Sequence, residues 1–260
     1  MIDTHCHLTH ARFAADVDAV VARAREAGVE ACLTIGTGAE DARAALALAG
    51  RFPGTVFSSA GIDPFTAHRA GAGFDDELAA LADLLGSGRF RALGEVGLDY
   101  HYDLDSPSVQ THRLERQLDL ARRTDLAVVI HVREAHEDML SVLARHPGCR
   151  GVIHSFTAGP AEAERYLDLG WHIGFNGVVT FRNAPAVREA AALVPTGRLL
   201  LETDSPYLAP VPLRGGRCEP AHVAHVLARL AEVRGEPVED LRRRSSANAR
   251  ALFGLPPAPG

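Results

Sequence analysis

Residues 127–132 read AVVIHV, a short apolar run that meets a histidine. The run is too short for a typical helix. Its β-branched content suits a strand covered on both faces, as in a parallel sheet. LLLETD at 199–204 repeats the pattern near the other end of the chain, again closing on an acidic side chain. Working outward from these two, strands are expected near 1–5, 30–35, 55–60, 91–95, 127–131, 151–154, 172–175 and 198–203. Helix-period segments lie between them near 13–27, 39–50, 75–86, 107–124, 134–146, 160–169 and 184–193, with two more near 219–234 and 238–252. In the first of the last two, Val223, Val226, Leu227, Leu230 and Val233 recur at helical spacing and form one buried stripe. Strands alternating with helices in this number predict an α/β fold, a single (β/α)₈ TIM-type barrel over 1–255, with 256–260 (PPAPG) as a flexible tail. An open doubly wound sheet is the alternative. No G-x-G-x-x-G follows the first strand, which removes the main support for its dinucleotide-binding form.

A chain of 260 residues buries enough apolar surface to fold without disulfides. The four cysteines, Cys6, Cys32, Cys149 and Cys218, fit neither a zinc ribbon nor a C-x-x-C motif, so a reducing compartment is expected. The start, MIDTHCHL, lacks the basic and apolar regions of a signal peptide, and no apolar run approaches a membrane span. A cytoplasmic protein with no membrane association and no obligatory protein partner is expected. The net charge of −6 excludes a binder that relies on a global basic field. Chemistry on nucleic acid would have to be local.

His5 and His7 are two apart on the first expected strand, so both imidazoles can point to one spot. Asp3 shares their face and is a candidate to orient a ligand, while Cys6 should point away. Glu95 follows RALG, His131 follows AVVI, His154 follows GVI and Asp204 follows LLLET. Each is a ligand-type side chain where an apolar strand is expected to end. In a barrel those ends share the face on which active sites are built. Imidazoles and carboxylates without thiolates suit zinc, manganese or magnesium. His5, His7, Glu95, His131, His154 and Asp204 exceed the needs of one tetrahedral ion and are enough for two divalent ions about 4 Å apart. Glu95, with two oxygens to share, is the expected bridge.

The stretches DTHCHL at 3–8, GEVGLDY at 94–100, IHVREA at 130–135, IHSFTAG at 153–159, FNGVVTF at 175–181, LLLETDSPYLAP at 199–210 and NARALFG at 248–254 occur in this order. In that combination the chain resembles the TatD family of metal-dependent deoxyribonucleases over essentially its whole length. The resemblance implies a TIM-type barrel, two divalent ions and phosphodiester hydrolysis at DNA ends. It implies that His5, His7 and Asp204 hold one ion, that His131 and His154 hold the other, and that Glu95 bridges, with Glu202 behind the ligands. Two positions depart from the family pattern. Asp63 in GIDP stands where the family usually has a histidine facing the substrate phosphate, and Cys218 in RGGRCEP stands where it usually has asparagine.

The expected reaction is attack on a phosphodiester by activated water, with Asp204 and Glu95 as the catalytic carboxylates and Asp204 taking the proton. Single-stranded DNA ends are the expected substrate. Arg133, two past His131, is a candidate phosphate clamp. Arg214 and Arg217 in the late Gly-rich loop are candidate backbone contacts, Asp63 a further substrate contact, and Tyr100, His101 and Tyr102 candidates to stack on a base. The same ligand set on the same barrel also serves hydrolysis of a small ester, amide, lactone or phosphoester. A non-catalytic metal-binding protein would not need so complete a set.

Overall fold

The computed structural model describes residues 1–257. Part of the expected tail, 258–260, lies outside the described residues. Eight parallel strands follow one another in spatial order: β1 (Ile2–Cys6), β2 (Ala31–Thr34), β3 (Val56–Ala60), β4 (Ala92–Asp99), β5 (Ala127–Arg133), β6 (Gly151–Ile153), β7 (His172–Phe175) and β8 (Leu199–Leu201). The sheet closes between β8 and β1. Asp204 donates its backbone N–H to the carbonyl of His5 (2.8 Å), and His7 donates to that of Ser205 (2.7 Å). The closing seam therefore runs through three of the candidate ligands. The fold is the expected (β/α)₈ barrel rather than an open sheet.

The helices are α1 (Val17–Glu26), α2 (Ala39–Arg51), α3 (Pro64–Ala70), α4 (Phe74–Leu85), α5 (Pro107–Thr124), α6 (His136–Arg145), α7 (Pro160–Asp168), α8 (Pro185–Leu193), α9 (Val223–Arg234) and α10 (Val238–Phe253). All but α3 fall where helical periodicity places them. Helix α3 is too short to show a period; what starts it is local chemistry. Asp63 accepts the Thr66 N–H (3.1 Å) as N-cap, and Pro64 occupies the first turn, where its missing N–H costs nothing.

Strand parity divides the core. In β5, Val128, Ile130 and Val132 pack outward under the helices, whereas Ala127 and Val129 belong to an inner cluster. That inner cluster takes the first residues of β1, β2, β4 and β5 and is joined by Leu252 and Phe253 from the end of α10 and by Leu255 just beyond it. It fills the barrel at the N-terminal end of its strands and leaves the opposite end for polar side chains. Among the described residues, no helix is long and apolar enough to cross a membrane.

Strands β4 and β5 run past the expected ends. Glu95 and His131 therefore lie within strands, not at their ends. Gly97 permits this. It pairs with His131, and a Cβ there would stand 1.8 Å from the His131 carbonyl oxygen. Only glycine lets β4 and β5 stay paired to Asp99 and Arg133.

Candidate metal centre

At the C-terminal end of the barrel, six side chains from β1, β4, β5 and the segments after β1, β6 and β8 converge. Glu95 is central and buried. Its Oε2 lies 3.5 Å from His5 Nε2 and 4.0 Å from His7 Nε2. Its Oε1 lies 2.8 Å from His131 Nδ1 and 3.0 Å from His154 Nε2. One carboxylate thus turns an oxygen to each of two imidazole-lined lobes. Asp204 completes the first lobe, with Oδ1 3.3 Å from His7 Nε2 and 3.6 Å from His5 Nε2. Asp204 reaches this position from a left-handed backbone conformation (φ 59°), and Ser155 beside His154 adopts another (φ 48°). Such conformations cost about 1 kcal/mol or more and concentrate at functional sites.

These residues fit divalent cations. Within each lobe two imidazole nitrogens face each other, His5 Nε2 and His7 Nε2 at 3.2 Å, His131 Nδ1 and His154 Nε2 at 3.4 Å. A single proton would join each pair, but carboxylate oxygens of Glu95 and Asp204 converge on the same nitrogens, and a shared cation takes all of these donors at once. The His5 and His154 rings also stack in parallel at 3.8 Å, which disfavours charging both. Groups able to hold an ion include His5, His7 and Glu95 in one lobe and Glu95, His131 and His154 in the other. Cys6 turns its thiol away, toward the carbonyl of Leu33.

The protonation pattern follows from the charges packed here. Burial pushes Glu95 up, but His154, His131 and His5 together hold it well below the usual carboxylate range. Burial likewise opposes ionisation of Asp204, and His7, His5 and His154 outweigh it. His5, the most enclosed ring, is lowered by burial and by His154. Against the cost of burial, Asp99 and Glu95 push His131 up to about 9.

Sequence reading passed over Asp99. It is 1 % exposed, and its Oδ2 lies 3.0 Å from His131 Nε2, fixing the ring so that Nδ1 faces Glu95. Its Oδ1 accepts the backbone N–H groups of His101 (3.0 Å) and Tyr102 (3.2 Å). One carboxylate therefore orients a candidate ligand and holds the loop beside it. The signal was present: Glu95, Gly97 and Asp99 share a face if the strand continues.

Asp3 departs from the expected role. Its oxygens accept from Thr203 N (2.9 Å), Thr203 Oγ1 (2.6 Å) and the His5 backbone N–H (3.3 Å), so it positions the β1 backbone and not a ring. The cause is a register irregularity between Asp3 and Cys6 that breaks simple alternation. Burial pushes its carboxyl up to about 8. Glu202 is fully buried behind the cluster. It accepts the Ser155 N–H and lies 3.8 Å from His154 Nδ1, on the side of the ring away from Glu95.

Arg133 sits on the rim with its guanidinium 5.1 Å from the centre of the exposed Tyr102 ring. Tyr100 is held by Asp138 (2.7 Å) and His101 by Glu134 (2.7 Å); Tyr102 is the exposed ring of the three, although Phe65 and His101 pack edge-on against it. Arg214 lies over Phe181 at 4.0 Å. Arg217 is committed elsewhere: it grips both oxygens of Asp16 (2.8 and 2.7 Å) and one of Glu219 (2.7 Å), pinning the late loop to the start of α1. Cys218 is fully buried and does not face the cleft. Asp63 caps α3 and also overlooks the cluster; burial, then the charge of Glu95, raises its pKa.

The family model described as TatD related DNase matches residues 2–254. A protein named 3'-5' ssDNA/RNA exonuclease TatD from Erwinia amylovora is 38% identical over 262 residues, covering 98% of this chain and 100% of the relative. A protein named uncharacterized metal-dependent hydrolase YcfH from Escherichia coli (strain K12) is 38% identical over 261 residues, covering 98% and 96%. The solved structure of YJJV, a TatD homolog from Escherichia coli K12, superposes with a TM-score of 0.91 at 34% identity, covering 98% of each chain.

Proposed function

The chain belongs to the family of TatD-related DNases, and from that membership and the two-lobed cluster we propose that it is a two-ion 3'-5' exonuclease acting on single-stranded nucleic acid ends. The observation that carries the reading is Glu95, whose two oxygens serve different lobes. His5, His7 and Asp204 would hold one divalent ion, His131 and His154 the other, with Glu95 between them. Magnesium, manganese and zinc all suit this donor set. Bound ions supply Lewis-acid activation of water and stabilise charge on phosphate oxygens.

Asp204 accepts the proton as water attacks phosphorus; the bond from phosphorus to the 3' oxygen of the preceding nucleotide breaks, and the proton passes to that departing oxygen. Asp204 is suited to this because its carboxyl stays ionised and its Oδ1 faces the reacting lobe. Glu95 and Asp99 fix the His131 ring from its two nitrogens. Arg133 and Tyr102, adjacent on the His131 side, present a guanidinium for phosphate and a flat ring for a base. Arg214 offers a further cation on the late loop.

The test is turnover of a 5'-labelled single-stranded oligonucleotide with magnesium, manganese and zinc compared. Stepwise release of mononucleotides from the 3' end, abolished by chelation and reduced at least about 100-fold in Asp204→Asn, is expected. Intact oligonucleotide under all three metals, with metal-dependent hydrolysis of a small ester or lactone, would overturn the proposal.

A further inference from the structure

The cleft has a second aromatic lip, opposite Tyr102 and on the His7 side. Tyr207, three residues past Asp204, leaves 46 % of its surface exposed. Its ring meets His7 edge-on at 6.0 Å between centroids and His10 at 5.6 Å. Its backbone N–H donates to the Asp204 carbonyl (2.9 Å), so the ring is placed by the same turn that places a candidate ligand. Among the described residues its hydroxyl has no hydrogen-bond partner.

A single exposed aromatic is ordinary. The neighbours of this one are what give it meaning. His10 Nδ1 accepts the Arg12 backbone N–H (3.0 Å), which leaves Nε2 as the protonated atom of the neutral ring. Arg12 spends one N–H on the carbonyl of Pro206, the residue before Tyr207 (3.1 Å), and the rest of its guanidinium is exposed. A flat ring, an imidazole donor and a guanidinium thus share one edge of the His7 lobe. Nucleobases stack on exposed aromatic faces whatever their sequence, and phosphate oxygens pair with guanidinium N–H groups.

We propose that Tyr207, with His10 and Arg12, forms a nucleotide subsite in which a base stacks on the Tyr207 ring and a phosphate of the same strand pairs with Arg12. The subsite rests on the nuclease reading above. With Tyr102 on the far lip, the strand is gripped on both sides of the scissile phosphate. A base stacked between its neighbours inside a duplex cannot also lie on one of these rings, so the two lips favour an unpaired strand end.

The experiment measures kcat/KM for wild type, Tyr207→Ala and Tyr207→Phe on three oligonucleotides: unmodified, abasic at the last residue, and abasic at the penultimate residue. Tyr207→Ala loses roughly tenfold or more on the unmodified strand, the scale of one base–aromatic stack. On one of the two abasic strands wild type loses a similar factor, and Tyr207→Ala adds nothing further. Tyr207→Phe keeps the ring and restores the dependence on the base. Arg12→Met flattens the dependence on salt by about one phosphate contact. Equal losses for Tyr207→Ala on all three strands would overturn the subsite while leaving the nuclease standing. Failure of wild type to cleave any of them would overturn both.

Discussion

Asp99→Asn isolates the geometry behind His131. The substitution keeps the side-chain volume, and its carbonyl oxygen can still accept the N–H groups of His101 and Tyr102, so the loop stays in place. The other end of the side chain changes sign. Where Asp99 Oδ2 accepts from His131 Nε2 at 3.0 Å, asparagine presents an NH₂. To bond it, the imidazole must carry its proton on Nδ1, the atom that faces Glu95 at 2.8 Å and would face an ion. The ring then has no lone pair to give, or it forgoes the bond to residue 99. A buried hydrogen bond to a charged group contributes about 1.5–3 kcal/mol, and loss of the partner behind a ligating histidine costs roughly 10- to 100-fold in metal affinity or activity. Calorimetric titration with manganese should show one of two binding steps weakened by that factor, with kcat/KM falling in parallel and the thermal midpoint of the metal-free protein lowered by several degrees, as loss of that hydrogen bond requires. Asp99→Ala should lose the same affinity and, in addition, raise KM, because the amides that hold Tyr102 lose their acceptor. Wild-type manganese affinity and turnover in Asp99→Asn would refute the reasoning.

Glu95→Gln leaves a single carbonyl oxygen to bind, so elemental analysis should find about one ion per chain in place of about two; full occupancy would remove Glu95 as the bridge. Gly97→Ala should destabilise the fold by about 3 kcal/mol in urea, since its Cβ meets the His131 carbonyl oxygen, and a change under about 0.5 kcal/mol would contradict the close approach. Asp63→Asn keeps the helix cap and removes a negative charge near the phosphate position, so kcat/KM on oligonucleotide should rise by a few-fold with unchanged thermal stability; a fall in activity would show the carboxylate to be useful. His172 titrates at about 4, lowered by burial and by Arg198. The unfolded chain therefore binds a proton between about pH 6.5 and 4 that the folded chain refuses, and stability falls as pH falls through that window. Allowing for solvent screening at a partly open site, the loss is about 1–2 kcal/mol. Urea denaturation of His172→Gln should show a smaller drop from pH 7 to pH 5 than wild type, and an equal drop would assign the acid sensitivity elsewhere.

The parts of this protein that announce themselves in sequence are those where composition and burial conflict. A histidine after AVVI or an aspartate after LLLET is costly unless something compensates it, and the structure gathers these residues into one cluster. What escaped detection depends on strand length and local turns, which composition does not set. The expected strand ends near residue 95 and leaves Asp99 unassigned, yet Gly97 is what allows β4 to continue beside β5. Alternation on β1 assigned Asp3 to a ring, but a register irregularity gave it the backbone of His5 and Thr203. Tyr207 follows a proline in a loop without periodicity, and only its distance from His7 distinguishes it from any other exposed aromatic. The charged cluster is fixed by cost, because a buried carboxylate without partners would unfold the chain. The aromatic lips proposed to hold a substrate carry no such cost, so their roles are read from geometry and tested by substrates that lack one base.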